Sequence, residues 1–275
     1  MITFATAGKP NSFGKRRYPH DLPDYLKGFG LNGFEVQCGR GINISGDAYN
    51  FFKNQSDITV SLHAPYFISI SSVEESTREK STGVILESAR AADKIGAERI
   101  VVHSGSCAKI SREQAMEFAL DTLKKSRDLL DAHNLAHIKI CPETMGKMNQ
   151  FGTLGEVLTL CSFDERMTPC IDFGHLNARE RGNIDFQSIF DEIHDKLGFE
   201  RLKKMHIHFS KIEYSAGGEK KHLTFADTEY GPDYQPMLDQ IIARRLEPFI
   251  VCESDGTQAE DCGIMKKYYK ERSSS

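Results

Sequence analysis

The chain has 275 residues, of which 39% are hydrophobic and 27% are charged, and its formal net charge is -4 at pH 7. This is the composition of an ordinary globular protein with enough apolar side chains for a large core. A slightly acidic chain has no overall attraction for nucleic acid or anionic membranes, so a nucleic-acid partner would have to bind a local basic patch.

Cysteine usage and the N-terminal residues indicate the cellular compartment. Seven cysteines are spread along the chain without a CxxC pair, which is typical of reduced thiols. Met1–Ala5 lacks the basic and then apolar plan of a signal peptide, and no apolar run approaches about 18 residues. We therefore expect a cytoplasmic protein that does not enter membranes.

Short apolar, β-branched runs alternate along the chain with longer segments of helical periodicity. The predicted strands are Ile2–Ala7, Gly33–Gln37, Ile58–Leu62, Arg99–Val102, Ile138–Cys141, Met167–Ile171, Lys204–Ile207 and Pro248–Cys252. The clearest helices are Glu75–Ile95, Arg112–His133, Phe186–Leu197 and Tyr234–Arg245. Ser111 and Gln114 form a capping-box pattern before the second of these helices, and Asp185 is a candidate cap for the third.

Eight strand and helix units predict a single (β/α)8 TIM barrel over residues 1–275. Parallel strands need helical crossovers, and eight such units close a cylinder. No linker rich in proline, glycine or serine divides the chain. The Ser-rich end predicts a frayed tail at residues 271–275.

Metal-ligand side chains mark the ends of the predicted strands, where a TIM barrel carries its active site. Six consecutive strands, the third to the eighth, end in histidine or a carboxylate: His63, His103, Glu143, Asp172, His208 and Glu253. His175 and His222 follow in nearby loops. Zinc and manganese take these ligand types, so the pattern predicts a metal centre at the mouth of the barrel.

Several of these assignments have structural alternatives. Asp172 could simply cap the next helix, with His175 on the first turn of that helix. His206 shares a strand face with His208, but His208 is nearer the strand end, so we expect His206 to fill the barrel one layer below. The remaining histidines are predicted to be solvated or capping residues: His20, His133, His137 and His194.

The number of candidate ligands exceeds the three or four that one zinc ion uses. Two ions about 3.5–4 Å apart, bridged by a carboxylate, are a common arrangement for hydrolysing phosphate esters. A metal-activated water then serves as the nucleophile. The sequence has neither a GxSxG elbow nor a Walker-type glycine loop, so no side-chain nucleophile is indicated.

The order of these residues, with Asp172-x-x-His175, resembles the metal ligands of the endonuclease IV family. That family comprises apurinic/apyrimidinic endonucleases within the xylose-isomerase-like barrels. The resemblance covers the chain from about Gly33 to Glu253. It implies a DNA phosphodiesterase that cuts on the 5′ side of abasic sites.

The resemblance also implies roles for individual residues. It assigns one Zn2+ to His63, His103 and Glu143, and a second to Glu143, Asp172, His208 and Glu253, with Mn2+ as the alternative metal. Glu143 would bridge the two ions and be the catalytic residue. Tyr66 matches the aromatic that the family inserts at the abasic site, with Phe67 beside it, although both could be ordinary loop packing. Arg40 is a candidate phosphate contact.

Two features depart from the family pattern. The third zinc of the family uses the histidine at His175 and an Asp-x-His pair, but Lys220 stands where that aspartate should be. A protonated lysine repels a cation, so we expect two ions, a vacant or weakly filled third position, and Lys220 directed towards a substrate phosphate. Glu219 or Asp227 is an alternative third carboxylate. The segment Ala5–Gly8 also lacks the usual histidine-containing opening.

Two other functions remain open. A divalent-metal-dependent sugar isomerase or epimerase of the same barrel superfamily would use one ion and a carboxylate that moves a proton. A non-enzymatic metal-binding scaffold is a third possibility. A monomer is expected.

Overall fold

A computed structural model describes residues 1–274 as a closed barrel of eight parallel strands surrounded by helices. The strands are β1 (Thr3–Ala7), β2 (Gly33–Gln37), β3 (Thr59–His63), β4 (Arg99–His103), β5 (Lys139–Glu143), β6 (Cys170–Asp172), β7 (His206–Phe209), β8 (Lys211–Ser215), β9 (Gly218–Leu223) and β10 (Phe249–Cys252). The helices are α1 (Leu22–Gly28), α2 (Gly46–Asn54), α3 (Glu75–Lys94), α4 (Arg112–Ala132), α5 (Leu154–Ser162), α6 (Phe173–Arg179), α7 (Phe186–Leu197), α8 (Phe199–Lys203), α9 (Gln235–Ala243) and α10 (Gln258–Ser273). A short 3-10 helix covers Asn11–Phe13.

The barrel strands follow one another in chain order from β1 to β7, and β10 closes the cylinder between β7 and β1. The predicted (β/α)8 barrel is therefore confirmed. All eight predicted strands overlap observed ones, and no strand end shifts by more than three residues. The shifts are informative at β3, β4 and β5, because these strands extend through His63, His103 and Glu143 and hold those side chains on regular backbone.

Helix starts follow the expected capping chemistry. The Ser111 hydroxyl accepts a hydrogen bond from the Gln114 amide, and the Gln114 side-chain oxygen accepts one from the Ser111 amide, so α4 begins with the predicted capping box. Asp185 caps α7 by accepting from the Ser188 amide. The last helix, α10, continues to Ser273, so residues 271–273 of the predicted tail are helical. Ser275 lies outside the described residues.

The connection between β7 and α9 contains an antiparallel hairpin, β8–β9, that the sequence analysis did not identify. This hairpin carries Glu219 and His222 over the mouth of the barrel. It docks on the loop after β5, where the Glu219 amide donates to the Gly146 carbonyl at 3.1 Å. The close approach requires glycine, since a Cβ on Gly218 would lie 2.2 Å from the Gly146 carbonyl oxygen.

The main apolar core lies between the sheet and the surrounding helices, and the barrel interior holds smaller clusters. One interior cluster contains Ala5, Phe249 and Val251, and the other contains Val101, Cys141 and Cys170. Polar side chains share this interior and lead up to the mouth. Within residues 1–274, no helix combines the length and apolar character needed to cross a membrane.

Candidate metal centre

His63 and His103 present one ring nitrogen each to the same carboxylate oxygen. Nδ1 of His63 lies 2.7 Å from the Ala64 carbonyl oxygen, and Nδ1 of His103 lies 3.1 Å from the Tyr66 carbonyl oxygen. Because a carbonyl only accepts, these contacts place the proton on Nδ1 in each ring. Both Nε2 atoms lie 3.3 Å from Oε2 of Glu143, so Nε2 is the nitrogen that each ring can offer to a metal.

Glu143 is almost fully buried and divides its two oxygens between two groups of side chains. Oε2 faces the two histidines, whereas Oε1 lies 3.1 Å from Nδ1 of His208. His208 in turn has Nδ1 3.5 Å from Oε2 of Glu253. One oxygen towards each group is the geometry that a bridging carboxylate needs.

Asp172 combines the two roles that the sequence left as alternatives. Oδ1 accepts a 2.7 Å hydrogen bond from the His175 amide and caps α6. Oδ2 is buried and has no hydrogen-bond partner within residues 1–274. Its nearest cationic group is Nδ1 of His175 at 3.3 Å. A buried carboxylate oxygen without a hydrogen bond is stabilised by a cation, so Asp172 fits a metal ligand.

A third group is formed by His175, Glu219 and His222. Nδ1 of His175 lies 2.9 Å from the Thr144 carbonyl oxygen, and Nε2 lies 3.4 Å from Oε2 of Glu219, so Nε2 is the nitrogen that faces the group. Nδ1 of His222 lies 2.8 Å from the Ser210 hydroxyl, which can donate or accept, so this contact orients the ring without fixing its tautomer.

Lys220 does not face this third group. Its ammonium pairs with Glu213 on the neighbouring hairpin strand, and the side chain is 54% exposed. Glu219 pairs with Tyr214 and Lys221 pairs with Glu213, so Lys220 is the extra residue of a β-bulge in the hairpin. The expectation that Lys220 points towards a substrate phosphate stays a prediction. The second expected candidate, Asp227, uses its Oδ1 to accept from the Glu229 and Tyr230 amides.

The spacing of these groups suits divalent ions. Two ligand atoms bound tetrahedrally to one zinc at about 2.0–2.2 Å lie roughly 3.3–3.6 Å apart. The distances across the first two groups, 3.3 Å and 3.5 Å, match this range. Ligand atoms in each of three groups lie within 4.8 Å of one another: His63, His103 and Glu143; Glu143, Asp172, His208 and Glu253; and His175, Glu219 and His222. The site is therefore suited to divalent metal ions.

The electrostatics of the cluster also favour cations. Burial lowers the pKa of the His63 imidazolium, but the Glu143 carboxylate outweighs burial and raises this pKa to about 8. His175 has a pKa of about 9, because Asp172 and Glu219 outweigh the opposing effect of its burial. Burial raises the pKa of Glu253. Such shifts arise when several carboxylates share a buried site that lacks compensating positive charge.

Beneath the mouth, two further ionisable residues contact the cluster. Glu35, in the middle of β2, is fully buried and lies 3.1 Å from Nε2 of His208 through its Oε1. His206 lies one layer down, as predicted, with Nε2 2.9 Å from Oε2 of Glu35. Glu35 was not predicted, because only residues at strand ends were considered. A carboxylate inside an apolar strand is itself a sign of a buried polar site, since charged residues are rarely buried unless they are paired.

A cleft of about 390 Å³ opens above the metal ligands. Tyr66 is 49% exposed at its rim, and its hydroxyl accepts a 3.0 Å hydrogen bond from Nε of Arg40. Lys147 also lines the cleft. Phe67 lies instead in a neighbouring groove with Tyr49 and is 42% exposed.

The histidines predicted to have no role at the centre lie away from it. His20 and His137 pair with the exposed carboxylates of Asp47 and Asp93. His133 contacts Arg90, and His194 packs edge-on against Phe199.

Comparison with known proteins gives a consistent family assignment. An uncharacterized protein of Methanocaldococcus jannaschii is 33% identical over 273 residues, which are 98% of this chain and 97% of that protein. A probable endonuclease 4 of Mycoplasma pneumoniae is 33% identical over 201 residues, 68% of each chain. The crystal structure of a D-tagatose 3-epimerase-like protein has the same fold, with a TM-score of 0.72, 15% identity, and coverage of 99% of this chain and 98% of that one. The family model of the xylose isomerase-like TIM barrel matches residues 23–270, and the chain belongs to this family of barrels.

Proposed function

We propose that the protein is a metal-dependent phosphodiesterase that cuts DNA on the 5′ side of abasic sites. The observation that carries this proposal is the position of Glu143, whose two oxygens face two different ligand groups. Bridged ions are suited to phosphate esters, because both the attacking and the leaving oxygen need stabilisation. The similarity to the probable endonuclease 4 of Mycoplasma pneumoniae supports a DNA substrate.

The metal ions, proposed to be zinc with manganese as a substitute, would lower the pKa of a bound water and polarise the phosphate. The protein's own contribution is to hold the ligands in position. Carbonyl acceptors on Ala64, Tyr66 and Thr144 fix the orientations of three histidines, so that unprotonated Nε2 atoms face the site. Burial of Glu143 and Asp172 keeps water from competing for their oxygens.

We further propose three ions rather than the two expected from sequence. The two-ion expectation depended on Lys220 repelling a third cation, but Lys220 is neutralised by Glu213 outside the cluster. Glu219 supplies a carboxylate to His175 and His222 in its place. This third group then has two imidazoles and one carboxylate, a common zinc ligand set.

Substrate contacts are proposed for residues at the cleft. Tyr66 is exposed beside the metal ligands, where it can stack in the space left by a missing base. Its hydrogen bond to Arg40 holds a cation next to that ring, where a DNA phosphate can pair with it. Phe67 would contact flanking DNA from the neighbouring groove.

A sugar epimerase is the alternative. The group of Glu143, Asp172, His208 and Glu253 could by itself hold one ion, with one of its carboxylates moving a proton. The fold likeness to the D-tagatose 3-epimerase-like protein is compatible with this reaction. However, an epimerase of this kind gives no role to His63 and His103 or to the third group, so we favour phosphoester hydrolysis.

The deciding experiment compares nicking of an abasic DNA duplex with interconversion of a panel of ketoses, each in zinc or manganese. We expect nicking by the wild type and a loss of at least 1,000-fold in Glu143→Gln, roughly 4 kcal/mol of transition-state stabilisation. The exposed Glu79→Gln on α3 is the matched control and should retain activity. A wild type that leaves DNA intact and converts ketoses would establish the alternative.

A further inference from the structure

Glu35 is a buried carboxylate that none of the three ligand groups uses. It lies in the middle of β2, and its side chain crosses the barrel interior to reach β7. Its relative exposure is 0%, the same as that of His206 and His208. A fully buried carboxylate is unfavourable unless its oxygens are paired, so its partners indicate why it is present.

Four side chains converge on Glu35. Ser61 donates its hydroxyl proton to Oε2 at 2.9 Å, and Gln37 donates its side-chain amide to Oε1 at 2.9 Å. Nε2 of His206 lies 2.9 Å from Oε2, and Nε2 of His208 lies 3.1 Å from Oε1. Both oxygens are therefore occupied by protein groups.

The two nitrogens of His208 face opposite partners. Nδ1 faces Glu143 and Glu253 in the second ligand group, whereas Nε2 faces Glu35. A neutral imidazole carries one proton, and a nitrogen that carries it cannot bind a metal. A carboxylate at Nε2 holds the proton there and leaves the Nδ1 lone pair directed at the ion.

We propose that Glu35 is a positioning residue that fixes the tautomer and ring orientation of His208 for metal binding. Its negative charge also increases the basicity of the ring, as carboxylate partners of metal-bound histidines do. His206 and Ser61 hold Glu35 in place from the opposite side. This inference rests on the proposed metal centre but not on the identity of the substrate.

The competing interpretation makes Glu35 a ligand of an additional, inner ion. Cys170, His206 and His208 also have ligand atoms within 4.8 Å of one another. Such an ion would need His208 to bind metal through both nitrogens. Hydrogen bonds from His206 and His208 to Glu35 explain the same distances without a further cation.

The test measures zinc content and zinc affinity by chelator competition, without any DNA. In Glu35→Ala we expect one equivalent of zinc to bind about 10–100-fold more weakly, with the other equivalents unchanged. Glu35→Gln retains one oxygen acceptor but loses the charge, so it should fall between wild type and Glu35→Ala. His208→Ala should weaken binding of the same zinc equivalent, which would show that Glu35 acts on the ion held by His208.

A matched control is Asp261→Asn, a buried carboxylate that accepts from Thr257 and the Phe225 amide away from the cluster. Its zinc affinity should equal that of wild type. If circular dichroism shows that Glu35→Ala is unfolded, Glu35→Gln is the deciding variant. A loss of about threefold or more in its zinc affinity supports the proposal. Unchanged affinity in the folded variants overturns it, as does a wild type with an extra zinc that both Glu35→Ala and His206→Ala lose.

These outcomes separate this inference from the proposed function. A wild type that binds zinc and responds as expected to Glu35→Ala, yet fails to nick abasic DNA, leaves the positioning role standing and rejects only the phosphodiesterase. A wild type that binds no divalent ion rejects both.

Discussion

At the scale of single residues, the histidines of the centre share one design. His63, His103, His175 and His208 each place one nitrogen on a protein acceptor and turn the other towards a carboxylate of the cluster. These outer contacts make the ligand set pre-organised, since the rings need not rotate when ions bind. Asp172 has one oxygen fixed by the α6 cap and the other without a hydrogen bond.

The first prediction at this scale concerns Glu219. If its carboxylate completes the third group, Glu219→Gln should lower the zinc content from about three to about two equivalents, because a neutral amide is a much weaker ligand. The readout is elemental analysis of purified protein after dialysis against a weak chelator.

Lys220→Ala is the informative companion variant, because the sequence predicted that Lys220 repels a third metal ion. Lys220 pairs with Glu213 rather than with the cluster, so its removal should leave the zinc content unchanged. A content that rises from two equivalents in wild type to three in Lys220→Ala would restore the original two-ion interpretation.

The same residue scale shows where sequence reasoning succeeds and where it stops. Strand-end residues such as His63 and Glu143 could be predicted because a barrel brings the carboxyl ends of its strands together. Glu35 could not be placed by that rule, since its role depends on a contact across the barrel to His208. Such a contact follows from the packing of side chains inside the closed barrel, which a strand pattern alone does not give.

At the scale of elements, the β8–β9 hairpin determines whether a third group exists. The segment has a recognisable hairpin signal, with Ile212 and Tyr214 alternating with polar residues before Gly217 and Gly218. A reading of this segment as an irregular loop puts Lys220 near His175. In the observed hairpin Lys220 is the extra residue of a β-bulge, and this bulge allows Glu219 and His222, three residues apart, to face the same group.

A prediction at this scale tests how the hairpin is docked. A Cβ on Gly146 would lie 2.6 Å from Cβ of Glu219 and 2.9 Å from Cδ2 of His175. Gly146→Ala should therefore push the hairpin away and remove the third zinc equivalent, while the other equivalents remain. Zinc content and the thermal unfolding temperature of the zinc-loaded protein are the measurements.

Gly83→Ala serves as the control for that variant. A Cβ at this position on α3 meets nothing within 4 Å, so the substitution should leave the zinc content unchanged. It should raise stability by roughly 0.5–1 kcal/mol, because alanine is the better helix former. If Gly146→Ala retains all of its zinc, the third ion does not need Glu219 at its observed position.

At the scale of the whole molecule, the barrel concentrates ionisable groups at one end and then buries them. The cluster contains four carboxylates and five histidines: Glu143, Asp172, Glu219, Glu253, His63, His103, His175, His208 and His222. Without ions, protons must supply the missing positive charge, and this is why the pKa values of His63 and His175 rise to about 8 and about 9. Protons and metal ions therefore compete for the same nitrogens.

This competition gives a prediction whose sign can be worked out. At pH 7, below both raised pKa values, the His63 and His175 rings are protonated in the metal-free protein, whereas a ring bound to metal through Nε2 with a proton on Nδ1 is neutral. Metal binding must then release at least one proton at pH 7, and zinc affinity must rise with pH until it levels off above about pH 9. Titration calorimetry in two buffers of different ionisation enthalpy counts the released protons directly. His103, whose burial lowers its pKa to about 4, adds nothing to the count at pH 7. Zinc binding that does not depend on the buffer or on pH between 6 and 9 would contradict this prediction. It would mean that His63 and His175 carry no extra proton in the metal-free protein.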